Sequence, residues 1–321
     1  MSYLKSFDFK KFKTKNNLFL SPMAGITNYA FRKICLESGA GMVFTEMISA
    51  QSLARGNIKT LKIAQIKDDR PVCKQIFGSD EEIMKIAALK AEETGCDMLE
   101  INASCPMKKI IKTGAGAALT LNAPLLYRIT ENMAKTVKVP LSVKIRSGFE
   151  IGKENALEIS KTLEKCGISF LHIHLRTVSQ IHSGAVNYDL GRQIKEAIKI
   201  PLIVNGGAVS PQSVKELFEK TGADAVSIGR GAVTNPMIFY ESEKFLSAGI
   251  CDTAGEKERA ALFLRFLELN CSVYGEKKGI INSRKLVGLW LKNFRRASYL
   301  RSEFMKLESL SQVKNLLGSS L

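Results

Sequence analysis

Two glycine-rich segments in the second half of the chain have the composition of a phosphate-binding site. Asn205-Gly206-Gly207 and Gly229-Arg230-Gly231 each follow a short apolar run directly. Glycines let the backbone approach a ligand closely, and an arginine adds a charge-assisted, forked contact to a phosphate. One Gly-Gly pair is usually only a turn, but two such segments after consecutive apolar runs predict a phosphate site.

Lys144 is the second candidate for chemistry, because it lies inside the apolar run Leu141–Ile145. Near a phosphate site, its ammonium would suit the pyrimidine edge of a flavin, where it stabilises the anionic reduced ring. A Schiff-base lysine that serves pyridoxal phosphate or a sugar phosphate is an alternative. A buried ion pair with Glu100 is another. Periodicity does not choose among these three interpretations.

Cys105 stands apart from the other cysteines of the chain. It precedes Pro106 on a loop, and three lysines follow it: Lys108, Lys109 and Lys112. Nearby cations favour a thiolate, whereas a cysteine that remains a thiol can donate a proton. We therefore predict a functional role for Cys105 in one of these two forms.

Eight short apolar runs alternate with amphipathic segments and would position these residues. The runs are Leu18–Pro22, Met42–Glu46, Val72–Phe77, Met98–Ile101, Leu141–Ile145, Phe170–His174, Pro201–Asn205 and Ala225–Ile228. Helical spacing appears between them, as over Glu81–Thr94, Glu154–Cys166 and Ser213–Lys220. The pattern predicts an α/β fold, a parallel (β/α)8 TIM barrel with its active site at the carboxyl ends of the strands. An open doubly wound sheet is the alternative, although no GxGxxG fingerprint follows the first run.

The pattern changes at about Glu241, after which only helical spacing remains. Helices are expected over Ala260–Leu269, Ile281–Phe294 and Met305–Leu317. We predict a catalytic barrel domain over residues 1–240 and a C-terminal helical domain over residues 241–321.

The charge of the chain points to an anionic partner. The sequence has 47 Lys and Arg against 31 Asp and Glu, a net charge of +16. Such a surplus attracts nucleic acid, anionic membranes or phosphate-bearing ligands. The stretch from Lys277 to Arg301 holds eight basic residues and no acidic one. Its apolar residues have the spacing of helix packing, so the stretch favours an RNA contact over a membrane contact.

Composition also limits the class and the compartment. With 45% hydrophobic and 24% charged residues, the chain is not wholly disordered. The seven cysteines include no CxxC pair, and no His, Cys or Asp set has metal-ligand spacing. No apolar run approaches the about 18 residues that span a bilayer, and the lysine-rich start lacks the apolar core of a secretory signal. We expect a cytoplasmic protein without a metal site, and a monomer.

Eight motifs occur in order along the chain. They are SPMAG (21–25), QIFG (75–78), NASCPMKK (102–109), GAGAAL (114–119), VKIRSG (143–148), HLRT (174–177), NGG (205–207) and GRG (229–231). Together they resemble the dihydrouridine synthase family, flavin enzymes that reduce uridine in RNA, most often tRNA. The likeness runs from about Leu18 to Pro236 and continues more weakly in the tail at Ser283-Arg284-Lys285 and Trp290. The bacterial branch usually called B looks nearest.

The resemblance implies FMN as the cofactor, NADPH as the reductant and tRNA as the partner. The residues it implies for flavin binding are Pro22, Met23, Ala24, Gln75, Lys144, His174, Asn205, Gly206, Gly229 and Arg230. It implies hydride transfer from reduced flavin to C6 of uracil, with Cys105 as the acid that protonates C5. It places Asn102, Arg146 and Arg176 near the base. The charge pattern adds six expected RNA contacts: Lys108, Lys109, Arg284, Lys285, Arg295 and Arg296.

Three segments depart from the family pattern, and three other functions compete with this one. The family commonly has Met-Gly where this chain has Ala103-Ser104, Gly where it has Leu175, and His where it has Leu286. The same chemistry on ribosomal RNA is one alternative. A small-molecule FMN oxidoreductase of the dihydroorotate dehydrogenase or ene-reductase type is another. An RNA-binding protein without catalysis is disfavoured, because binding alone requires neither Cys105 nor Lys144 nor His174.

Overall fold

One parallel sheet forms the centre of the molecule, which the computed structural model describes over residues 3–8, 12–67, 69–292 and 294–318. Within those residues the strands are β1 (Leu18–Leu20), β2 (Val43–Phe44), β3 (Ile48–Ser49), β4 (Val72–Phe77), β5 (Met98–Asn102), β6 (Leu141–Arg146), β7 (Phe170–His174), β8 (Leu202–Asn205) and β9 (Ala225–Ile228). Each of the eight predicted runs overlaps one strand, and β5 and β6 each extend one residue beyond their run. The short strand β3, which the sequence reasoning did not separate, pairs with β4 beside β2.

The sheet closes into a barrel. The strand order is β1-β9-β8-β7-β6-β5-β4-β2, and a parallel bridge between Phe19 and Met42 joins the two ends. The Leu20 amide donates to the Met42 carbonyl at 2.9 Å across this seam. The predicted (β/α)8 barrel is therefore confirmed.

Helices surround the barrel. They are α1 (Tyr29–Glu37), α2 (Ala50–Ala54), α3 (Ile58–Ala64), α4 (Glu81–Glu93), α5 (Lys108–Ile111), α6 (Ala123–Thr136), α7 (Ala156–Lys165), α8 (Tyr188–Ala197), α9 (Pro211–Thr221), α10 (Arg230–Thr234) and α11 (Ile238–Ala248), with a 3₁₀ helix at Gly116–Thr120. Local sequence sets several of their starts. Ser210 caps α9 by accepting from the Ser213 amide, and Pro211 supplies a fixed φ in the first turn.

The barrel interior has an apolar floor and a polar layer above it. The floor is formed by Phe19, Met42, Phe44, Cys73, Met98, Phe170, Ile203 and Ala225. Alternate residues of a strand face the same side. The residues two positions further along six of these strands are Ser21, Gln75, Glu100, His172, Asn205 and Ser227. This change from apolar to polar along each strand places the chemistry at the carboxyl ends.

Over its described residues, the C-terminal region forms four helices. They are α12 (Glu256–Tyr274), α13 (Glu276–Trp290), α14 (Ala297–Phe304) and α15 (Leu310–Gly318). The predicted helix over Met305–Leu317 is wrong at its start. The Gln312 side chain accepts from the Glu308 and Ser309 amides and caps a new helix, so residues 305–309 link α14 to α15.

The helical region packs directly on the barrel. The Trp290 indole donates to the Val233 carbonyl at 2.8 Å, and its ring lies 6.2 Å from that of Phe31 in α1. Helix α11 packs against α9 and crosses residue 240. The predicted division at residues 240 and 241 stays a prediction. No helix in the described part of the chain has the length and apolarity to cross a membrane.

Candidate active site

A cavity of about 330 Å³ opens at the carboxyl ends of the strands. The predicted residues that line it are Pro22, Met23, Ala24, Gln75, Asn102, Cys105, Lys144, Arg146, His174, Arg176, Asn205, Gly206, Gly229 and Arg230. One cavity thus gathers residues from strands far apart in sequence. The predicted RNA contacts Lys108, Lys109, Arg284, Lys285, Arg295 and Arg296 are not among its lining.

Lys144 is bridged to Glu100 by a histidine. Its Nζ lies 2.8 Å from His172 Nε2, and His172 Nδ1 lies 2.9 Å from Glu100 Oε2. Burial lowers the pKa of Lys144 to about 7, although the negative charge of Glu100 acts to raise it. Burial and then the Lys144 charge lower the pKa of His172 to about 4. Burial acts to raise the pKa of Glu100, but His172, Lys144 and Gln75 outweigh it and leave that pKa lowered.

The same carboxylate starts a second hydrogen-bond chain, toward the cysteine. Gln75 Nε2 donates to Glu100 Oε1 at 2.6 Å, and Asn102 Nδ2 donates to Gln75 Oε1 at 2.8 Å. Asn102 Oδ1 then accepts from the amides of Ser104 at 3.1 Å and Cys105 at 2.9 Å. The side chain of Asn102 therefore shapes the loop that carries Cys105.

Cys105 is half-buried beside this chain. Burial raises the pKa of its thiol, against smaller lowering effects of the Met107 backbone and Arg146. The group therefore remains a thiol at neutral pH. Of the two forms that the sequence allowed, this environment favours the proton donor.

Arg146 anchors the wall next to Cys105. Its Nε donates to the Ser104 carbonyl at 2.9 Å, and its Nη1 donates to the carbonyls of Thr177 at 2.9 Å and Ile181 at 2.8 Å. These bonds join the cysteine loop to the loop after β7, where Ile181 has a φ of 52°. Arg146 lines the cavity, as predicted, but much of its guanidinium is engaged by backbone.

The two glycine segments form a cradle on the opposite wall. Gly206 has a φ of 128°, and a Cβ there would lie 3.3 Å from His174 Cδ2 and 3.6 Å from Arg176 Nη1. That Nη1 is buried and has no hydrogen-bond partner among the described residues. Burial and then the charge of Arg230 lower the pKa of Arg176. An anion between the two guanidinium groups would supply the missing partner and relieve their repulsion, so the donor set fits a phosphate.

Sequence reasoning missed His172 and His182. His172 links Lys144 to Glu100, and its place two residues before His174 on one strand was the available signal. His182 lines the cavity, stacks on His174 with ring centroids 6.1 Å apart, and accepts from Arg230 Nη2 through its carbonyl at 2.6 Å. No local sequence pattern predicts a role for His182, because only the conformation of its loop brings the side chain to the cavity.

The predicted RNA contacts occupy different environments. Lys108 and Lys109 are exposed on α5, directly after the cysteine loop. Lys285 donates to the Gly25 carbonyl, whereas half-buried Arg284 donates to the Leu307 carbonyl at 3.3 Å. Arg295 and Arg296 are exposed, and the Arg296 guanidinium lies 4.4 Å from the centre of the Tyr299 ring.

The three departures from the family pattern are accommodated. Ala103 is fully buried, and its amide donates to the Lys144 carbonyl at 2.8 Å. Leu175 is buried and fills space over Gly191, where a Cβ would lie 3.2 Å from Leu175 Cδ1. Leu286 is buried among the C-terminal helices.

Fold and site define a (β/α)8-barrel enzyme with a glycine-lined cradle, a buried lysine and a proton-bearing thiol around one cavity. No group of three or more His, Cys, Asp and Glu side chains within the described ranges is arranged to hold a metal. Residues 19–320 match the family model described as dihydrouridine synthase, and the chain belongs to that family. The membership confirms the prediction of an oxidoreductase of this family.

Curated relatives match over nearly their whole length. The tRNA-dihydrouridine synthase B of Vibrio parahaemolyticus is 37% identical over 310 residues, which cover 96% of this chain and 96% of that protein. The protein of the same name from Pseudomonas putida is 35% identical over 300 residues, which cover 93% of this chain and 89% of that protein.

Solved structures share the fold. An old yellow enzyme homologue from Zymomonas mobilis superposes with a TM-score of 0.57 at 15% identity, covering 80% of this chain and 96% of that one. Morphinone reductase gives a TM-score of 0.53 at 13% identity, covering 80% of this chain and 94% of that one. At these identities the likeness shows the fold alone.

Proposed function

We propose that this protein reduces uridine to 5,6-dihydrouridine in tRNA, with FMN as its resident cofactor and NADPH as the reductant. The observation that carries the proposal is the sharing of one cavity by the Cys105 thiol, the buried Lys144 and the phosphate cradle. Relatives named tRNA-dihydrouridine synthase B, which match over nearly the whole chain, support tRNA as the substrate.

The residues present fit FMN. Gly206 and Gly229 leave room for a phosphate, Arg230 supplies charge, and the partnerless Arg176 Nη1 points to an anion at the same place. Pro22, Met23 and Ala24 line the cavity beside them. When bound, FMN supplies the hydride that it has received from NADPH.

Lys144 and Gln75 would face the ring system. The ammonium of Lys144 would stabilise negative charge on the pyrimidine edge of a reduced flavin. With a pKa of about 7, the group is near half-protonated at neutral pH, and an adjacent anion would draw it toward the ammonium form. Gln75 is fixed by Glu100 and Asn102, which gives its amide one orientation.

Cys105 would supply the proton. Reduction of the C5–C6 bond of uracil adds a hydride at C6 and leaves enolate charge toward the C4 carbonyl, so that C5 accepts a proton. A thiol whose pKa is raised by burial is fully protonated at neutral pH and can donate it. Asn102, Arg146 and Arg176 line the same cavity and would contact the base.

The RNA must present a flipped base to this cavity. Removing a base from its stack costs a few kcal/mol, which contacts between phosphates and basic side chains offset. The exposed Lys108 and Lys109 lie beside the cysteine loop, and Lys285, Arg295 and Arg296 extend a basic surface along the C-terminal helices. The seven free thiols are consistent with action in the cytoplasm.

Purified protein tests the proposal. We expect it to bind FMN, and to oxidise NADPH and form dihydrouridine when given unmodified tRNA transcripts. Ribosomal RNA, orotate and a simple enone are the comparison substrates. A protein that binds no FMN would contradict the cofactor, and turnover with orotate or the enone but not with RNA would replace the proposed substrate.

A further inference from the structure

Glu100 is a buried carboxylate that receives hydrogen bonds from three strands. Gln75 of β4 donates to it at 2.6 Å, Ser142 of β6 at 3.1 Å and His172 of β7 at 2.9 Å. Its side chain has no exposed surface. Stability alone does not call for such a group, because apolar residues in place of buried ion pairs are often neutral or stabilising. A role in organising its neighbours would account for it.

The contacts of Glu100 determine the tautomer of His172. Both carboxylate oxygens accept hydrogen bonds, so the His172 nitrogen that faces Oε2, Nδ1, must carry the proton. The other ring nitrogen, Nε2, then presents a lone pair to the Lys144 ammonium at 2.8 Å. Through the imidazole, the carboxylate favours the protonated form of the lysine.

The contacts of Glu100 also determine the orientation of Gln75. Because Gln75 Nε2 points to the carboxylate, its Oε1 must face Asn102 Nδ2. Asn102 Oδ1 is thereby left to accept from the Ser104 and Cys105 amides. One carboxylate thus fixes the amide orientations that shape the cysteine loop.

We propose that Glu100 is the positioning residue of this active site, which favours the ammonium form of Lys144 through His172 and orients the Cys105 loop through Gln75 and Asn102. The roles of Lys144 and Cys105 toward flavin and base rest on the proposed function; the coupling of both groups to Glu100 does not. Glu100 itself contacts neither ligand.

The charged surroundings of Lys144 make Glu100 the group to vary. Arg146 on the same strand lowers the pKa of Lys144, whereas Glu100 raises it. The neighbouring β7 contributes His172 and His174, whose pKa values are both lowered, so both rings are neutral at pH 7. Among the described groups that act on Lys144, Glu100 therefore supplies the negative charge.

The flavin-free protein, labelled with [ε-¹³C]lysine, gives the direct test. The Lys144 signal is the one that is lost in Lys144→Met, and its shift is followed against pH by NMR. Glu100→Gln keeps the shape of the side chain but removes its negative charge. Its new amide NH₂ group would face a hydrogen-bond donor, either Gln75 Nε2 or His172 Nδ1. We expect the Lys144 midpoint to fall by about one pH unit or more from about 7. An unchanged midpoint overturns the relay from Glu100 to Lys144.

Ser142→Ala is the matched control, because it removes one hydrogen-bond donor to Glu100 but keeps the carboxylate charge. We expect the Lys144 midpoint in this variant to stay near that of the wild type. His172→Gln is the second variant if Glu100→Gln does not fold. It breaks the bridge and leaves the carboxylate, so its midpoint should also fall. A midpoint unchanged in a folded His172→Gln protein overturns the relay as well.

The link from Glu100 to the Cys105 loop is measured separately. The alkylation rate of Cys105 by iodoacetamide, read by mass spectrometry at fixed pH, should change at least about threefold in Glu100→Gln and stay at the wild-type value in Ser142→Ala. An equal alkylation rate in wild type and Glu100→Gln overturns the link from Glu100 to the Cys105 loop. Neither measurement requires FMN. Failure of the wild type to bind FMN therefore contradicts the proposed function alone, and an unmoved midpoint contradicts the role of Glu100 alone.

Discussion

At the scale of single residues, the character of Cys105 depends on a balance between burial and charge. Burial raises the pKa of the thiol, and Arg146 acts in the opposite direction but does not overcome it. Arg146 is at the same time tied to three backbone carbonyls. The cysteine is thus kept protonated on a loop of fixed shape, which suits an acid and not a nucleophile.

Replacing the thiol should separate proton transfer from cofactor binding. We expect Cys105→Ala to lower the rate of dihydrouridine formation by about 10²–10⁴-fold, because the positioned acid is lost. FMN affinity should change less than threefold, since the phosphate cradle lies on the opposite wall. Single-turnover oxidation of the reduced enzyme by tRNA measures the first quantity, and flavin fluorescence measures the second. Wild-type rates of product formation in Cys105→Ala would remove the acid from the mechanism.

The pH dependence follows from the direction of the pKa shift. An acid must hold its proton, so the rate should be constant where Cys105 is a thiol and decline as pH rises through its raised pKa. The midpoint of the decline should therefore lie above the ordinary cysteine value of about 8.5. A rate that instead increases with pH across this range would indicate a thiolate mechanism.

At the scale of elements, the loops after β8 and β9 form the cradle because glycine occurs at the positions that come closest to other side chains. Gly206 has a φ of 128° and lies against His174 and Arg176. The helices that follow, α9 and α10, begin directly after these loops. The backbone conformation, as much as the arginines, creates room for the phosphate.

A methyl group at Gly206 should therefore weaken FMN binding. Gly206→Ala places a Cβ 3.3 Å from His174 Cδ2 at a positive φ. We expect a loss of about 1–3 kcal/mol of stability and at least a tenfold rise in the FMN dissociation constant. Gly249→Ala is the control, because Gly249 also has a positive φ, 71°, but no heavy atom within 4 Å of the added Cβ. Equal FMN affinities in the two variants would show that the Gly206 backbone is not part of the cradle.

Much of this architecture could be predicted from sequence, because strand patterns are local. The predicted runs Val72–Phe77, Phe170–His174 and Ala225–Ile228 match β4, β7 and β9 at both ends. The start of α15 could not be predicted, since apolar spacing continues through Met305–Leu307 and the Gln312 cap decides the boundary.

The candidate site was predictable where strand ends determine it and not where long-range pairing does. Lys144 and Cys105 follow from their places at two strand ends. The Lys144–His172–Glu100 chain joins three strands whose registers only the folded barrel defines. His182 reaches the cavity through a loop held by Arg146 and Arg230, which no spacing rule describes.

At the scale of the whole molecule, the basic surplus is unevenly distributed. The stretch from Lys277 to Arg301 carries eight basic residues, and its apolar members Trp290, Leu291 and Phe294 are buried against the rest of the protein. Apolar packing therefore turns one side of this stretch inward and leaves Lys292, Arg295 and Arg296 exposed. The surface is suited to phosphate contacts near a barrel that holds the chemistry.

Reversing two of these charges should weaken tRNA binding without affecting the flavin. For Arg295→Glu with Arg296→Glu we expect at least a tenfold weaker tRNA affinity at about 0.1 M salt, and a shallower salt dependence by about one to two units of log–log slope. Filter binding across a salt series measures both. The control is Lys135→Glu with Lys165→Glu, in the last turns of α6 and α7, which lie at the barrel end opposite the active site. Equal losses of tRNA affinity in both double variants would show that the change in net charge alone causes the effect.

Reduction of tRNA uridine with Cys105 as the acid can be measured in cells by mapping dihydrouridine. The chain is expressed in a bacterial strain stripped of its own dihydrouridine synthases, and total RNA is analysed by mass spectrometry and position-resolved sequencing. We predict that wild-type protein restores dihydrouridine at defined tRNA positions, whereas Cys105→Ala produced at the same level does not. Dihydrouridine absent from tRNA with the wild-type protein, or restored equally by Cys105→Ala, would contradict it.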